Sequence, residues 1–449
     1  MERLAGLSMN SYGWIILIAI LTDYLIGIVA DLLNIRAMKS QIPSEFEGVY
    51  DAESYARSQA YTKERTRFGL LSGTFSIILL LVFWFAGGFQ WVDEIVRGFG
   101  YGPVLTGVFY IALIMVAQTL ISLPFRIYST FVIEEKYGFN KTTSGLFISD
   151  MAKSFALGVA IGGPLLATVL WFFESFGAQA WLWIWGILTL FTLGLQYIAP
   201  TWIMPLFNKF EPLEDETLKE RLLRYAERVN FGLKDIFMMD GSKRSTKSNA
   251  FFTGFGKNKR IALFDTLLEN HTQDEIMAVV AHEVGHYKKR HIVKGMILSV
   301  IHSGVVLWLL SQFLTVEALF DAFFVETPSV YTGLIFFGML YQPVEMVLGV
   351  LLNMQSRKHE FEADAFAVET AMSGDDEDSS LGGVAGNYAG ISHIGRAADA
   401  MTNALKKLSL HNLSNLTPHP FYAFMNYSHP PVLERIKAIK ERSSSTSGQ

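Results

Sequence analysis

The sequence predicts an α-helical integral membrane protein with seven transmembrane helices and a cytoplasmic domain that contains a small β-hairpin. Apolar side chains make up 51% of the 449 residues and charged side chains only 18%. Soluble domains usually carry about 25% charged residues. The apolar residues are gathered in long charge-free runs, and the charges lie between these runs. This pattern is typical of a chain that folds in a membrane.

Seven apolar stretches approach the length of about 20 residues that a helix needs to cross a bilayer. The clearest, at 68–90 and 103–125, contain no charged residue. The others are 11–33, 154–173, 180–200, 295–315 and 328–352. A cleaved signal peptide is the alternative for the first stretch, but it has no small-residue cleavage site and continues past Asp23.

Lys and Arg residues between the stretches predict the orientation. The connection 34–67 carries six of them and 126–153 carries four, whereas 91–102 carries one. Because basic residues favour the cytoplasmic side, we expect the N-terminus outside or in the lumen and the C-terminus in the cytoplasm. The membrane would be the endoplasmic reticulum, with the inner nuclear membrane, in a eukaryote and the plasma membrane in a bacterium.

Four regions follow from these spans. Residues 1–200 hold helices one to five, 201–292 form a cytoplasmic segment, 293–352 hold helices six and seven, and 353–449 form a cytoplasmic C-terminal segment. An ionisable residue at membrane depth usually faces a bundle interior or a water-filled cavity. Glu345, which follows a proline by two residues, would then face an internal aqueous space.

The first cytoplasmic segment shows three local patterns. Apolar residues at helical spacing predict an amphipathic helix over 213–230. Two β-prone runs, 248–253 and 260–264, flank a Gly/Asn/Lys turn and predict a hairpin. A Thr-Gln-Asp-Glu capping box starts a helix over 272–291.

The C-terminal segment begins with a predicted helix around 354–371 that ends at Gly374. The acidic run Asp375–Asp378 and the glycines after it predict a solvated loop.

The strongest chemical motif is His282-Glu283-Val284-Gly285-His286 on the capped helix. A spacing of four places both imidazoles on one helix face, where they can hold a single zinc ion, and Glu283 lies beside them as a general base. The alternative is a surface helix with two incidental histidines. The chain has no cysteine, so any metal site must be built from His, Asp or Glu.

Catalytic zinc usually takes three protein ligands and keeps one position open. Glu360 fits the third place, because two membrane crossings after His286 return the chain to the cytoplasm. Asp364 lies one turn further along and suits a hydrogen bond to a ligating histidine. His359 and Glu362 are nearby competitors, but they face other directions around the helix. A solvated helix charge is the alternative reading of Glu360.

These motifs together resemble the type I CAAX prenyl protease family, which comprises integral-membrane zinc metalloproteases. The resemblance runs from about residue 35 to 442. Besides the His-Glu-x-x-His motif and Glu360-Phe-Glu-Ala-Asp364, it rests on Phe131-Val-Ile-Glu-Glu-Lys-Tyr-Gly-Phe-Asn140, Gly241-Ser-Lys-Arg-Ser245, Ser248-Asn-Ala250 and Asn426-Tyr-Ser-His-Pro-Pro431.

The resemblance implies a role for each matching position. The family's zinc ligands fall on His282, His286 and Glu360, its catalytic glutamate on Glu283, and the histidine that stabilises the oxyanion on His429. The alternative for His429 is a helix-capping histidine beside two prolines. The strand that pairs with the substrate backbone falls on Ser248, Asn249, Ala250, Phe251 and Phe252, up to Thr253. The family also encloses a large water-filled chamber between seven helices, below a zincin-like catalytic domain.

The implied activity is removal of the last three residues from a prenylated Cys-aliphatic-aliphatic-X C-terminus, with a further upstream cut in some members. Its partners are a prenylated protein or peptide, one Zn²⁺ per chain and the lipid bilayer. A net charge of −5 without a long basic block excludes nucleic acid. One alternative is a quality-control zinc protease that acts on unlipidated or misfolded proteins. Another is a seven-span transporter or receptor with a regulatory His/Glu cluster, although transporter sites usually lie at mid-membrane.

Overall fold

A computed structural model describes residues 9–253, 259–373 and 392–446 of the chain. Most of the predicted turn after Thr253 lies outside these residues. So do Gly374, the acidic run Asp375–Asp378 and the glycine-rich stretch that follows it.

The N-terminal part consists of helices. Those in chain order are α1 (Ser11–Ala37), α2 (Ala52–Phe85), α3 (Gly88–Arg97), α4 (Pro103–Tyr128), α5 (Ser144–Leu157), α6 (Gly163–Phe176) and α7 (Ala180–Ile198). Short π-helical turns extend α4 to Glu134 and join α5 to α6. Large apolar side chains on these helices point outwards, including Leu120 at 62% and Leu190 at 72% exposure. Such surfaces are unfavourable in water and suit contact with lipid tails.

Six segments of the described chain are long and apolar enough to cross a membrane. One of them, Ser144–Leu206, has 63 residues, about 95 Å if it were one straight helix and about three times the hydrocarbon thickness. It is interrupted at Gly177, whose φ of +54° allows the chain to turn between α6 and α7. The predicted fourth and fifth spans lie on either side of this turn. A total of seven crossings remains a prediction.

The part of the chain that carries the histidine motif is built on a four-stranded sheet. Its elements are β1 (Phe210–Pro212), α8 (Glu216–Arg228), β2 (Leu233–Met239), β3 (Ala250–Thr253), β4 (Lys259–Phe264), α9 (Asp265–Asn270) and α10 (Gln273–Lys288). The strand order is β1-β2-β4-β3. The predicted amphipathic helix is confirmed as α8, and the predicted strand pair as the antiparallel pair β3 and β4. Strand β2, which pairs in parallel with β4, was not predicted, because Lys234 and Asp235 break its apolar pattern.

The chain continues through α11 (His291–Phe313), α12 (Glu317–Asp321), α13 (Val330–Thr370), α14 (His393–His411), α15 (Pro420–Asn426) and α16 (Val432–Thr446). The prediction of a separate helix around 354–371 was wrong, because α13 is one helix of 41 residues that also includes the seventh apolar stretch. The apolar residues that suit contact with lipid end near Leu352, but α13 continues without a break to Thr370.

Two predicted connections are also largely helical. Helix α2 begins at Ala52, so most of the basic residues assigned to the connection 34–67 lie on it. Helix α5 begins within the connection 126–153 and continues into the predicted fourth span.

The core of this part of the chain lies between the sheet and helices α8, α10, α14 and α16. It is formed by fully or nearly fully buried apolar side chains, among them Leu222, Ile261, Met277, Met401 and Ile436. The segment between α1 and α2 joins this core, since the hydroxyl of Tyr50 donates to the carbonyl of Ser409 at 2.7 Å. The N-terminal helices are therefore attached to the same body that carries the histidine motif.

Candidate functional site

Helix α10 is fixed at its first turn. The predicted capping box is confirmed: Thr272 Oγ1 accepts from the Glu275 backbone N–H at 3.3 Å, and Glu275 Oε2 accepts from the Thr272 N–H at 2.8 Å. Asp274, in the same turn, accepts two hydrogen bonds of 2.9 Å from the guanidinium of Arg396 and lies 2.7 Å from Arg221. The helix therefore presents its later turns in a fixed orientation.

The glycine of the histidine motif allows α13 to pack closely against α10. A Cβ atom at Gly285 would lie 3.1 Å from both the Cα and the carbonyl oxygen of Ala363, which is tighter than ordinary van der Waals contact. Glycine at this position therefore lets the two helix backbones approach each other. The approach brings Glu360 of α13 against the histidines of α10.

His282, His286 and Glu360 form the one cluster of His, Cys, Asp or Glu side chains in the described residues whose spacing suits a metal ion. The two imidazole Nε2 atoms lie 3.1 Å apart. The carboxylate of Glu360 lies 3.4 Å from His282 Nε2 and 3.3 Å from His286 Nε2. Ligands of a tetrahedral zinc ion, each about 2.1 Å from the metal, are separated by about 3.4 Å. The spacing of all three atoms therefore fits zinc.

Glu360 also contains a buried polar atom without a hydrogen bond. The residue is 3% exposed, and its Oε2 makes no hydrogen bond within the described part of the chain; the nearest nitrogen atoms, His282 Nε2 and a guanidinium nitrogen of Arg435, lie 3.4 and 3.5 Å away. A buried carboxylate oxygen without a hydrogen bond is costly. A metal ion among the three side chains would remove that cost, so the donor set and the orphaned oxygen both fit a zinc ligand.

The second nitrogen of His282 faces a buried ion pair. Nδ1 lies 2.8 Å from Asp364 Oδ1, and Asp364 accepts two hydrogen bonds, of 2.8 and 2.6 Å, from Arg435 of α16. Burial opposes protonation of His282, but the nearby carboxylates of Asp364 and Glu360 outweigh it and raise the pKa of the imidazole to about 9. A carboxylate partner of this kind makes a histidine a more basic metal ligand.

The second nitrogen of His286 has a different partner. Nδ1 lies 3.1 Å from Nδ1 of His291, the first residue of α11. The other nitrogen of His291 lies 3.0 Å from Glu362 Oε2, and the ring of His359 stacks on His291 with centroids 3.9 Å apart. As expected, neither His359 nor Glu362 belongs to the three-residue cluster.

Glu283 follows His282 directly. Burial raises the pKa of its carboxyl, and the neighbouring His282 and His286 act in the opposite direction. No hydrogen bond involves this carboxylate within the described residues. Its position beside the cluster suits an acceptor for a proton from water.

His429 lies at the open side of the cluster. Its Nε2 is 3.4 Å from Glu360 Oε1, and 64% of its side chain is exposed. Helix α13 fixes the preceding segment, because Arg357 donates to the carbonyl of Tyr427 at 2.5 Å and Asn353 donates to that of Met425 at 3.0 Å. Asn353, Arg357 and Glu360 share one face of α13, so one helix positions both the cluster and the segment that carries His429.

The predicted substrate strand forms an edge of the sheet. Within the described residues β3 pairs with β4 alone, and it packs against α10. The backbone N–H of Phe264 donates to the carbonyl of Asn249, so the alternation of an antiparallel pair turns the backbone groups of Ala250 and Phe252 to the open side. Ser248 lies just before the strand and is 5% exposed, with its hydroxyl bonded to the Thr266 carbonyl. Phe251 pairs inward with Ala262.

Polar side chains also meet at the depth of the apolar segments. His302 of α11 lies 3.3 Å from Glu345 of α13. Glu345 lines a cavity of about 350 Å³ together with Asp23 of α1 and Asn426 of α15. That this space holds water remains a prediction.

Arg435 and His291 were missed by the sequence analysis, which considered Glu362 only as a competitor of Glu360 and not as the partner of His291. Arg435 precedes Ile439 by four residues on the buried face of α16, and a cation on an apolar helix face was the signal that could have identified it. His291 gives no comparable signal, since its contact with His286 depends on the sharp connection between two helices.

Two family models match almost the whole chain. The CAAX prenyl protease N-terminal domain with five membrane helices matches residues 31–209, and peptidase family M48 matches residues 212–443. The family descriptions and the apolar helices identify a multi-pass membrane protein.

Similar proteins are known from several eukaryotes. CAAX prenyl protease 1 homologs of Oryza sativa and Arabidopsis thaliana are each 34% identical over 436 residues; these matches cover 94% and 95% of this chain and 95% and 96% of the relatives. CAAX prenyl protease 1 of Saccharomyces cerevisiae is 33% identical over 430 residues, 90% of this chain and 89% of the yeast protein. The crystal structure of S. mikatae Ste24p superimposes with a TM-score of 0.85 at 32% identity, covering 96% of this chain and 100% of that one. The chain therefore belongs to the type I CAAX prenyl protease family of M48 metallopeptidases.

Proposed function

We propose that this protein is a zinc-dependent endopeptidase of the membrane that removes the C-terminal tripeptide from prenylated CAAX proteins. The observation that carries the proposal is the cluster of His282, His286 and Glu360, with ligand spacings that suit zinc and Glu283 next to it. The names of the relatives in rice and yeast describe CAAX prenyl proteases, and this supports the substrate class.

Each side chain has a role in the proposed hydrolysis. His282, His286 and Glu360 would hold a zinc ion, which would supply a Lewis acid for the scissile carbonyl and lower the pKa of water. Glu283 takes a proton from the attacking water and passes it to the leaving amine as the carbon–nitrogen bond breaks. His429 donates a hydrogen bond to the oxyanion of the tetrahedral intermediate. Asp364 orients His282 through Nδ1.

The free edge of β3 offers a place for the substrate backbone. The outward-facing carbonyl of Ala250 and the N–H and carbonyl of Phe252 pair with an extended peptide as an added strand. Ser248 supports the strand, because its hydroxyl is bonded to Thr266. The Asn249 side chain accepts from the outward Ala250 N–H at 2.9 Å and therefore lies at the same open edge. Substrate contact is therefore concentrated on Asn249 to Phe252.

A prenylated substrate also explains why the protease is membrane-bound. A prenyl chain partitions into lipid, and the apolar helices keep the metal cluster near that lipid. The proposed orientation places the N-terminus outside or in the lumen and the cluster on the cytoplasmic side, in the endoplasmic reticulum of a eukaryotic cell. A large chamber between seven helices, as the family resemblance implies, would hold the prenylated tail.

The test is cleavage of matched farnesylated and unmodified CAAX peptides by the purified full-length protein. We expect zinc-dependent release of the tripeptide from the farnesylated peptide, and a loss of about 10²–10⁴ in kcat for Glu283→Gln with zinc still bound. Equal cleavage of both peptides would instead identify a quality-control protease. Absence of both zinc and cleavage would favour a transporter or receptor.

A further inference from the structure

Behind His286, on the side away from Glu360, lies a chain of hydrogen-bonding side chains. His286 Nδ1 meets His291 Nδ1 at 3.1 Å, and His291 Nε2 meets Glu362 Oε2 at 3.0 Å. His291 is 6% exposed. We infer that His291 is a positioning residue for the metal ligand His286, and that Glu362 acts on His286 through it. This inference rests on the proposed zinc site.

The positions of the hydrogens follow from the two ends of the chain. A neutral imidazole has one N–H and one lone pair. If His286 Nε2 uses its lone pair for the metal, Nδ1 carries the hydrogen and donates it to Nδ1 of His291. The hydrogen of His291 is then on Nε2, where it donates to the ionised carboxylate of Glu362, which only accepts. Each contact therefore has one donor and one acceptor, and the chain selects the tautomer of His286 that a metal requires.

The backbone and a neighbouring ring hold His291 in place. Only Lys289 and Arg290 separate α10 from α11, and Arg290 adopts a left-handed conformation with φ +57°, which is uncommon for a residue with a side chain. This tight turn brings His291 back against His286. The ring of His359 lies almost parallel to that of His291, with an interplanar angle of 8°, and fixes the plane of the imidazole.

The positions of the carboxylates on α13 explain why His291 lies between the metal ligand His286 and the carboxylate of Glu362. His282 meets its carboxylate directly at 2.8 Å, because Asp364 lies one turn beyond Glu360 on the same face of α13. Glu362 lies about 200° around α13 from Glu360 and contacts His291 instead. His291 bridges this distance, and through it the first turn of α11 becomes part of the metal site.

The test measures zinc affinity of the purified full-length protein by competition with a chelator, with no substrate present. The removal of such an outer partner typically weakens metal binding about 10–100-fold, and we expect a loss in this range for His291→Phe. His291→Asn keeps an acceptor near the position of Nδ1, so we expect it to restore most of the affinity. His359→Phe is the matched control: it keeps a stacked ring and removes a histidine that has no hydrogen bond to His286, so the affinity should remain unchanged.

Two results would overturn the inference. Zinc affinity of folded His291→Phe within twofold of the wild type would show that the hydrogen bond has no effect on the ligand. Equal losses in the Phe and Asn variants would assign the effect to packing. If His291→Phe does not fold, Glu362→Leu replaces it, because this half-exposed position tolerates an apolar side chain; unchanged zinc affinity would again reject the inference. Zinc binding is read without a peptide, so failure to cleave a prenylated peptide would contradict the proposed function alone.

Discussion

The two histidines of α10 face the same three-residue cluster, but their opposite sides differ. Behind His282 lie Asp364 and Arg435, both almost completely buried and joined by two hydrogen bonds. Behind His286 lie a second histidine and Glu362, whose side chain is 33% exposed. A buried ion pair is costly to break, whereas a half-exposed carboxylate can be hydrated. We therefore expect the side chains behind His282 to contribute mainly to the stability of the folded protein. The side chains behind His286 should mainly affect the affinity for the metal.

The largest expected difference between the two sides is in stability. Asp364→Asn removes the nearer of the two carboxylates that pair with Arg435, the other being Glu360 at 3.5 Å, and breaking a buried pair costs about 3–5 kcal/mol. Glu362→Gln changes an exposed charge and should cost less than about 1 kcal/mol. Chemical denaturation of the metal-free protein in detergent measures both values. Similar losses in the free energy of unfolding for the two variants would contradict the distinction between the buried ion pair behind His282 and the partly exposed carboxylate behind His286.

The next largest effect is on kcat and concerns His429, at the open side of the metal cluster. His429→Ala removes the proposed oxyanion donor, so kcat should fall about 10²–10³-fold while zinc content stays at the wild-type level. Arg357→Met releases the carbonyls before His429 and should change kcat in the same direction by a smaller factor. Kinetics on a farnesylated peptide, together with metal analysis, test both variants. Loss of zinc in His429→Ala would identify His429 as a ligand.

The smallest expected effect is the part of the stability that depends on pH, at the first turn of α10. Asp274 lies about two turns before His282 on α10. Burial opposes its ionisation, but Arg396 and Arg221 hold the pKa of Asp274 below its ordinary value of 3.8. A lowered folded-state pKa gives stabilisation that is complete above the unfolded pKa and is lost as the pH falls through the folded pKa.

Chemical denaturation of wild type and Asp274→Asn at several pH values from 7 to 3 measures the difference in their free energies of unfolding. The variant should be less stable at pH 7, and the difference should shrink on acidification. A difference that stays constant with pH would show that the charge of Asp274 does not contribute.

The predictable part of the fold depends on patterns that are local in sequence. The capping box at Thr272, the amphipathic helix α8 and the pairing of β3 with β4 were all predicted, because each follows from a few neighbouring residues. The ends of long helices were not predictable from charge, because charged residues are good helix formers. For this reason α13 continues beyond Leu352 and α2 begins well before residue 68.

The residues of the candidate site also fall into two groups, those that local sequence patterns predict and those that they do not. The histidine motif and Glu360 could be predicted from spacing and from the absence of cysteine, and the structure brings their side chains together. Arg435 and His291 act through contacts between helices that are distant in sequence or joined by an unusual turn. Such contacts depend on tertiary packing, which a single sequence does not encode in any short pattern.

The length of α13 gives the metal cluster a mechanical connection to the membrane. Glu360 lies 17 residues beyond Pro343 on this one helix, about 25 Å along its axis. A tilt of about two degrees near Pro343 would displace Glu360 by about 0.9 Å, several times the tolerance of about 0.2 Å in metal–ligand distances. Membrane helices change their tilt to match the thickness of the lipid around them. A change in bilayer thickness that tilted α13 relative to α10 would therefore change the distance between Glu360 and the histidines.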